Sequence, residues 1–391
     1  MRRDPHRSPV RAAVAQPVSR PPQSHVGDTS VRGVDRSDSA HPVSNIAEPA
    51  SLTRPCRTSG GARPSRDVLS LAYSAPVEAN RDPCPGVCVS TASDYRIEGV
   101  YHILATPFSS GLDIDEPSLR RLVSSVLALA VDGLTILGVA GEAQTLSVDE
   151  RTRLTAVVSE VVDGRVPVIV GTSADALDQA IARSRAAELL GASAVMVAPP
   201  RGADPDSLIG HYRTIAESIT LPIVLHDYPD VTDVDLTIDQ MVSLVEAVPS
   251  IVSIKLESVP SPPRVGAAIA ALEGAATVLG GRGGLYYLNE LKRGASGTMT
   301  GFAFPEALVD IWRHWQSGDT DSAEAVYYRY LPLLVFEAQP SIGLAIRKET
   351  LRRRDMITSA TLRRTSPALD DGTLADLSDI LGSLGVKATM W

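Results

Sequence analysis

From Gly99 onward the chain alternates short, β-rich apolar runs with longer amphipathic stretches, and no other feature restricts its possible folds as much. The expected strands are Val100–Thr106, Leu134–Leu137, Val166–Val170, Ala194–Ala198, Pro222–His226, Ile251–Lys255, Ala276–Leu279 and Gly297–Thr300. Between them helical periodicity runs through Asp115–Ala130, Val148–Val162, Ala174–Leu190, Asp206–Ile219 and Leu236–Ala247. Ser147 and Glu150 form a capping-box pattern, and Asp115 and Asp206 are the expected starters of their helices. The strand runs are apolar on both faces, as suits strands covered on both sides. Eight strands, most of them followed by a helix, require a parallel sheet with helices outside it. Eight such units over about 200 residues match the scale of a (β/α)₈ TIM barrel. A doubly wound sheet would show fewer strands and a Gly-rich fingerprint after the first, whereas here the first strand ends Ala105-Thr-Pro-Phe108. Helical segments at Pro305–Gln316, Asp321–Phe336, Ser341–Arg352 and Leu374–Leu384 read as a C-terminal appendage. The expected class is therefore α/β, with the barrel over 96–302 and a helical region over 303–391.

Residues 1–95 have a different character. They are rich in Pro, Ser and Arg, poor in aromatics, and lack a sustained period of 2 or 3.6. Such a segment buries too little apolar surface to offset its ordering entropy, so a disordered tail is expected. It reads as a dispensable tail or as the product of a start set too far upstream, which the intact mass of native protein distinguishes. Cys56, Cys84 and Cys88, the only cysteines, all fall in it. Cys84 and Cys88 lack a second ligand pair at metal-site spacing, and no metal or cofactor is expected. The net charge of −9 argues against a nucleic-acid partner or an anionic membrane surface. No apolar run is long enough and free enough of charge to suggest a membrane span, and Met-Arg-Arg-Asp does not open a secretory signal. A cytoplasmic address is the expectation.

Barrel enzymes carry their chemistry at the C-terminal ends of the strands. The sixth strand ends at Lys255, the first lysine in a chain that has only Lys292, Lys348 and Lys387 besides. A lysine buried in an apolar strand favours the neutral, nucleophilic amine, which attacks a ketone to form an imine. The competing reading is a side chain that snorkels out at the strand end. The fifth strand ends at His226, where it can face the neighbouring lysine and move protons, or merely make a structural hydrogen bond. Tyr228 joins that face only if the strand runs on that far. After the second strand, Gly138-Val-Ala-Gly141-Glu142 makes a sharp turn. The N–H groups of Val139, Ala140 and Gly141 can hold a carboxylate, and Glu142 can anchor the loop. Thr106, Gly280 and Met299 complete the candidate substrate-binding set at the ends of the first, seventh and eighth strands. Arg282, among the glycines after the seventh strand, makes a phosphate conceivable, although glycines there simply leave room for a small substrate.

Taken together, Gly138-x-x-Gly141-Glu142, Asp227-Tyr-Pro229 and Ser253-Ile-Lys255 resemble the dihydrodipicolinate synthase / N-acetylneuraminate lyase family. The resemblance runs from about Val100 to about Leu384 and includes Ala105-Thr-Pro-Phe108 and Gly294-Ala-Ser-Gly-Thr298. It implies a barrel with C-terminal helices, a homo-oligomer (tetramer or dimer) and a Schiff-base lysine, which Lys255 matches. Several positions depart from the family's pattern. His226 stands where a proton-shuttling tyrosine is usual, and Val139 and Ala140 where Thr or Ser is usual. Pro200 and Arg201 replace a Tyr-Tyr pair, and Val231 an arginine. These losses favour a lyase, aldolase or dehydratase, for a 2-oxo acid such as pyruvate or a 2-keto-3-deoxy sugar acid. The alternatives are a 4-hydroxy-tetrahydrodipicolinate synthase using pyruvate and aspartate semialdehyde, and a regulatory barrel that binds an oxo acid without turnover.

Overall fold

The computed structural model describes residues 95–386. All but Tyr95 of the tail expected over 1–95, with its three cysteines, and the last five residues, including Lys387, lie outside the described residues. Eight parallel strands close into a barrel in sequence order. They are β1 (Gly99–Ile103), β2 (Gly133–Ile136), β3 (Val168–Gly171), β4 (Ala194–Val197), β5 (Ile223–Asp227), β6 (Ile251–Leu256), β7 (Thr277–Gly280) and β8 (Gly297–Thr300). All eight expected strands are present, with ends shifted by up to three residues. The largest shift is in β1, where Leu104–Thr106 run past the last barrel pair. β1 pairs with β8 through Gly99 and Gly297, closing the ring. Gly297 has φ +139°, and a Cβ there would lie 1.9 Å from the Gly99 carbonyl oxygen, so a side chain would block closure.

The helices are α1 (Glu116–Ala128), α2 (Val148–Val162), α3 (Leu177–Leu189), α4 (Leu208–Ser218), the one-turn α5 (Pro229–Thr232), α6 (Ile238–Ala247), α7 (Ser261–Leu272) and α8 (Tyr287–Leu291). After the barrel come α9 (Pro305–Gln316), α10 (Thr320–Glu337), α11 (Gly343–Arg353) and α12 (Asp371–Ser383). In α1, Leu119, Leu122, Val123 and Val126 follow the helical repeat and are fully buried against the barrel. Burial of each contributes about 1.5–3 kcal/mol relative to exposure. Asp115 caps α1 by accepting from Ser118 N–H, and Ser147 and Glu150 form the expected capping box on α2. Asp206, however, does not start α4. Asp204 caps a short 3₁₀ turn over Pro205–Ser207, and α4 follows without a side-chain cap. Helix α7, which no strong period announces, begins Ser261-Pro-Pro; proline is tolerated in the first turn because those N–H groups have no helical acceptor.

Two apolar cores follow from strand alternation. One set of strand side chains meets the helices. The other fills the barrel's interior with Ile97, Tyr101, Ile103, Ile169, Ala194, Met196, Val224, Val252, Leu279 and Met299. The interior is thus packed. Among the described residues no helix is long and apolar enough to cross a membrane.

Candidate active site

Lys255 is the penultimate residue of β6 and pairs in register with His226 of β5. Both side chains point inward at the C-terminal rim, and Lys255 is only 2% exposed. Its Nζ lies 3.1 Å from His226 Nε2 and 2.5 Å from Glu257 Oε1. Glu257 also stands 3.5 Å from His226 Nε2, which completes a buried cluster of three groups. The Glu257 N–H donates to the Asp227 carbonyl at 2.9 Å, extending the β5–β6 ladder one residue beyond the strand. On the other side Arg282 donates to the Glu257 carbonyl at 2.5 Å and pairs with Asp230 at 2.6 Å. The cluster therefore sits on held backbone rather than on a loose loop. Tyr228 packs on the His226 ring with centroids 5.0 Å apart and planes 20° from parallel.

Burial, helped by the Lys255 charge, pushes His226 down to about 4, against the pull of Glu257. Its ring is therefore neutral near pH 7 and offers a lone pair. Burial alone would raise the Glu257 carboxyl, but the charge of Lys255, hydrogen-bonded to it at 2.5 Å, outweighs that. The group is held below the usual carboxylate range. Burial pushes Tyr228 up to about 12, so its phenol stays protonated.

The amine opens into a cavity of about 260 Å³ lined by Val139, Ala140, His226, Tyr228, Glu257, Arg282, Tyr286, Arg347 and Arg364, among others. A larger neighbouring cavity of about 510 Å³ shares Val139, His226 and Tyr228 with it but does not reach Lys255. The smaller one holds the Lys255 amine, the candidate nucleophile.

Of the sequence-derived site set, Lys255, His226, Val139 and Ala140 meet at this cavity. The rest do not line it. The Gly141 N–H closes the turn on the Gly138 carbonyl at 3.1 Å, so it is not available to a ligand. The Gly141 carbonyl accepts the Thr106 hydroxyl at 2.6 Å, making Thr106 a support for the turn. Glu142 turns away in the left-handed conformation, φ 53°. Its carboxylate is fully buried against Lys348 at 2.6 Å and accepts the N–H groups of Arg363 and Arg364 at 2.9 and 2.7 Å. It anchors the loop, as a buried carboxylate must find partners somewhere. Gly280 faces outward, where a Cβ would strike Glu290, and Met299 belongs to the packed interior. Glu257 was legible from alternation, two residues after Lys255 on the same face. Tyr286, Arg347 and Arg364 carried no such signal.

A family model for the dihydrodipicolinate synthetase family matches residues 96–383. The L-2-keto-3-deoxyarabonate dehydratase of Azospirillum brasilense is 31% identical over 312 residues, spanning 78% of this chain and 99% of that protein. The crystal structure of a dihydrodipicolinate synthase from Rhodopseudomonas palustris superposes with a TM-score of 0.70 at 30% identity, covering 75% of this chain and 99% of that one. That of YagE from Escherichia coli, solved in complex with pyruvate, gives a TM-score of 0.70 at 26% identity over 74% of this chain and 99% of that one.

Proposed function

Because this chain belongs to the dihydrodipicolinate synthetase family, we propose that it is a Schiff-base lyase, an aldolase or dehydratase, acting on a 2-oxo acid such as pyruvate or a 2-keto-3-deoxy sugar acid. The carrying observation is the Lys255 amine, buried at the rim of the barrel with a neutral imidazole 3.1 Å away. The Lys255 ammonium passes a proton to the neutral His226 Nε2, and the freed amine adds to the C2 carbonyl. The carbonyl π pair moves to oxygen, which takes two protons, one from the adding nitrogen and one returned by His226, and leaves as water. The resulting iminium carries the positive charge that drains electrons from C3, so either a C3–C4 bond or a C3 proton and a C4 hydroxide can depart. His226 takes and returns these protons as a neutral base near pH 7. Glu257 balances the lysine's charge when the site is empty and the iminium's once it forms.

Two features favour an aldolase or dehydratase over a 4-hydroxy-tetrahydrodipicolinate synthase. Val139 and Ala140 offer no hydroxyl for a relay, and Val231 no charge for a second carboxylate at that position. The relative matched over nearly its full length is a dehydratase of a keto-deoxy acid. A homo-oligomer and a cytoplasmic address complete the reading.

The test is borohydride reduction in the presence of pyruvate, followed by peptide mass mapping. A stable pyruvate-derived adduct is expected on Lys255, and Lys255→Arg should abolish it. An adduct confined to Lys292, Lys348 or Lys387, or none with any 2-oxo acid tried, would sink the assignment.

A further inference from the structure

If an imine forms on Lys255, the carboxylate beside it must be held inside a largely buried cavity, and burying a charge without compensation is costly. The β2 turn is poorly equipped for this. Val139 and Ala140 bring no side-chain donor, and the Gly141 N–H is committed to Gly138. Only the N–H groups of Val139 and Ala140 remain there, and both are neutral.

A cation stands beside that turn, delivered from outside the barrel. Arg347 of α11 lines the cavity. Its Nη1 lies 3.2 Å from the point a Cβ on Gly301 would occupy, and the Ala140 Cβ lies 3.4 Å from the same point. Its Nη2 lies 3.6 Å from the corresponding point on Gly283. The guanidinium thus spans the space between the end of β8, the turn after β2 and the loop after β7. Gly301 keeps that space open, since a side chain there would press on Nη1. The other edge of the guanidinium is occupied: Nε donates to Glu337 Oε2 at 2.8 Å, and Glu337 is 4% exposed. Glu337 therefore fixes the plane of the fork. Neither Nη has a hydrogen-bond partner among the described residues. A fork with one edge held and one edge free suits bidentate capture of a carboxylate. The other cavity cations are placed differently. Lys255 is paired with Glu257 and Arg282 with Asp230. Arg364 enters from the segment after α11, close to Tyr228.

We propose that Arg347 binds the carboxylate of the 2-oxo acid, so that the C-terminal helices supply the charge that the β2 turn lacks. This rests on the imine reading above and names the group that selects an acid over a neutral ketone.

The test compares borohydride trapping of pyruvate with that of pyruvamide, its uncharged carboxamide, in the full chain. The wild type should trap pyruvate about ten- to a hundredfold faster, the usual weight of a hydrogen bond to a charged group. Arg347→Met combined with Glu337→Gln, which avoids leaving a buried carboxylate unpaired, should bring the ratio close to one while Lys255 still carries the adduct. Arg347→Lys keeps the charge but loses the fork, and should fall between the two; it also serves if the double variant does not fold. Retention of the wild-type ratio in these variants, or its loss only in Arg364→Met, would overturn the proposal while leaving the imine intact. Absence of any adduct in the wild type would instead remove the imine reading, and Arg347's role with it.

Discussion

Burial together with the charge of Lys255 keeps His226 neutral near pH 7, so in the proposed reaction it can accept a proton from the amine. Its Nε2 is the nearest lone pair to the amine besides Glu257, whose carboxyl is held too far below neutrality to be a strong base. His226→Phe should therefore leave adduct formation on Lys255 possible while slowing turnover about 10²–10⁴-fold, the usual contribution of a positioned acid or base. Steady-state kinetics alongside borohydride trapping separates the two effects, and unchanged turnover would remove His226 from the mechanism. Tyr228, stacked on the ring and protonated, is placed to hold the imidazole's orientation as well as to face the cavity.

At the scale of elements, the outer face of the barrel carries another buried acid. Glu290 of α8 packs behind Gly280 of β7 and accepts the hydroxyl of Ser261 at the start of α7. Its other carboxyl oxygen has no partner among the described residues. Burial pushes it up from its ordinary 4.5 to about 7. The folded state then holds a proton that the unfolded state releases between these two values. The stability this proton contributes is complete below about 4.5 and is lost as pH rises through about 7. Glu290→Gln removes that dependence. Relative to the wild type, the variant should gain on the order of 3 kcal/mol between pH 5 and pH 8. Denaturant unfolding at the two pH values measures it, and a difference between the proteins that does not change with pH would show that the acid is not protonated in the fold.

Across the whole molecule, one ion pair ties the C-terminal helices to the active-site turn. Lys348 of α11 and Glu142 are both fully buried, 2.6 Å apart, and Lys348 also donates to the Thr361 carbonyl at 2.9 Å. The same carboxylate holds the backbone of Arg363 and Arg364, and the Phe108 ring lies 4.5 Å beneath the ammonium. Lys348→Met leaves a buried carboxylate without its cation and should cost about 3–5 kcal/mol. Replacing Glu142 by Met as well should recover part of this. Equilibrium denaturation checks both, and a loss under about 1 kcal/mol for the single variant would mean the pair behaves like an exposed one. Since Arg347 precedes Lys348 on α11, the anchor that fixes the turn also sets where the proposed carboxylate-binding fork stands.

By itself the sequence determined the barrel, because strand and helix periods are local and eight alternations leave one economical way to cover both strand faces. It also singled out Lys255 and His226, since a lone lysine and a histidine at the ends of apolar strands stand out against their neighbours. Glu257 lay within reach of the same alternation. What the tertiary structure alone decided is which side of each rim residue faces the cavity and what arrives from far along the chain. Thr106 and Gly280 read as ligand-facing in sequence, yet the one donates to the Gly141 carbonyl and the other abuts Glu290. Arg347 and Arg364 lie about a hundred residues beyond Lys255, and only the docking of α11 and the segment after it onto the open end of the barrel brings their charge to the site. A period can report which face of an element is buried, but not which distant side chain closes over it.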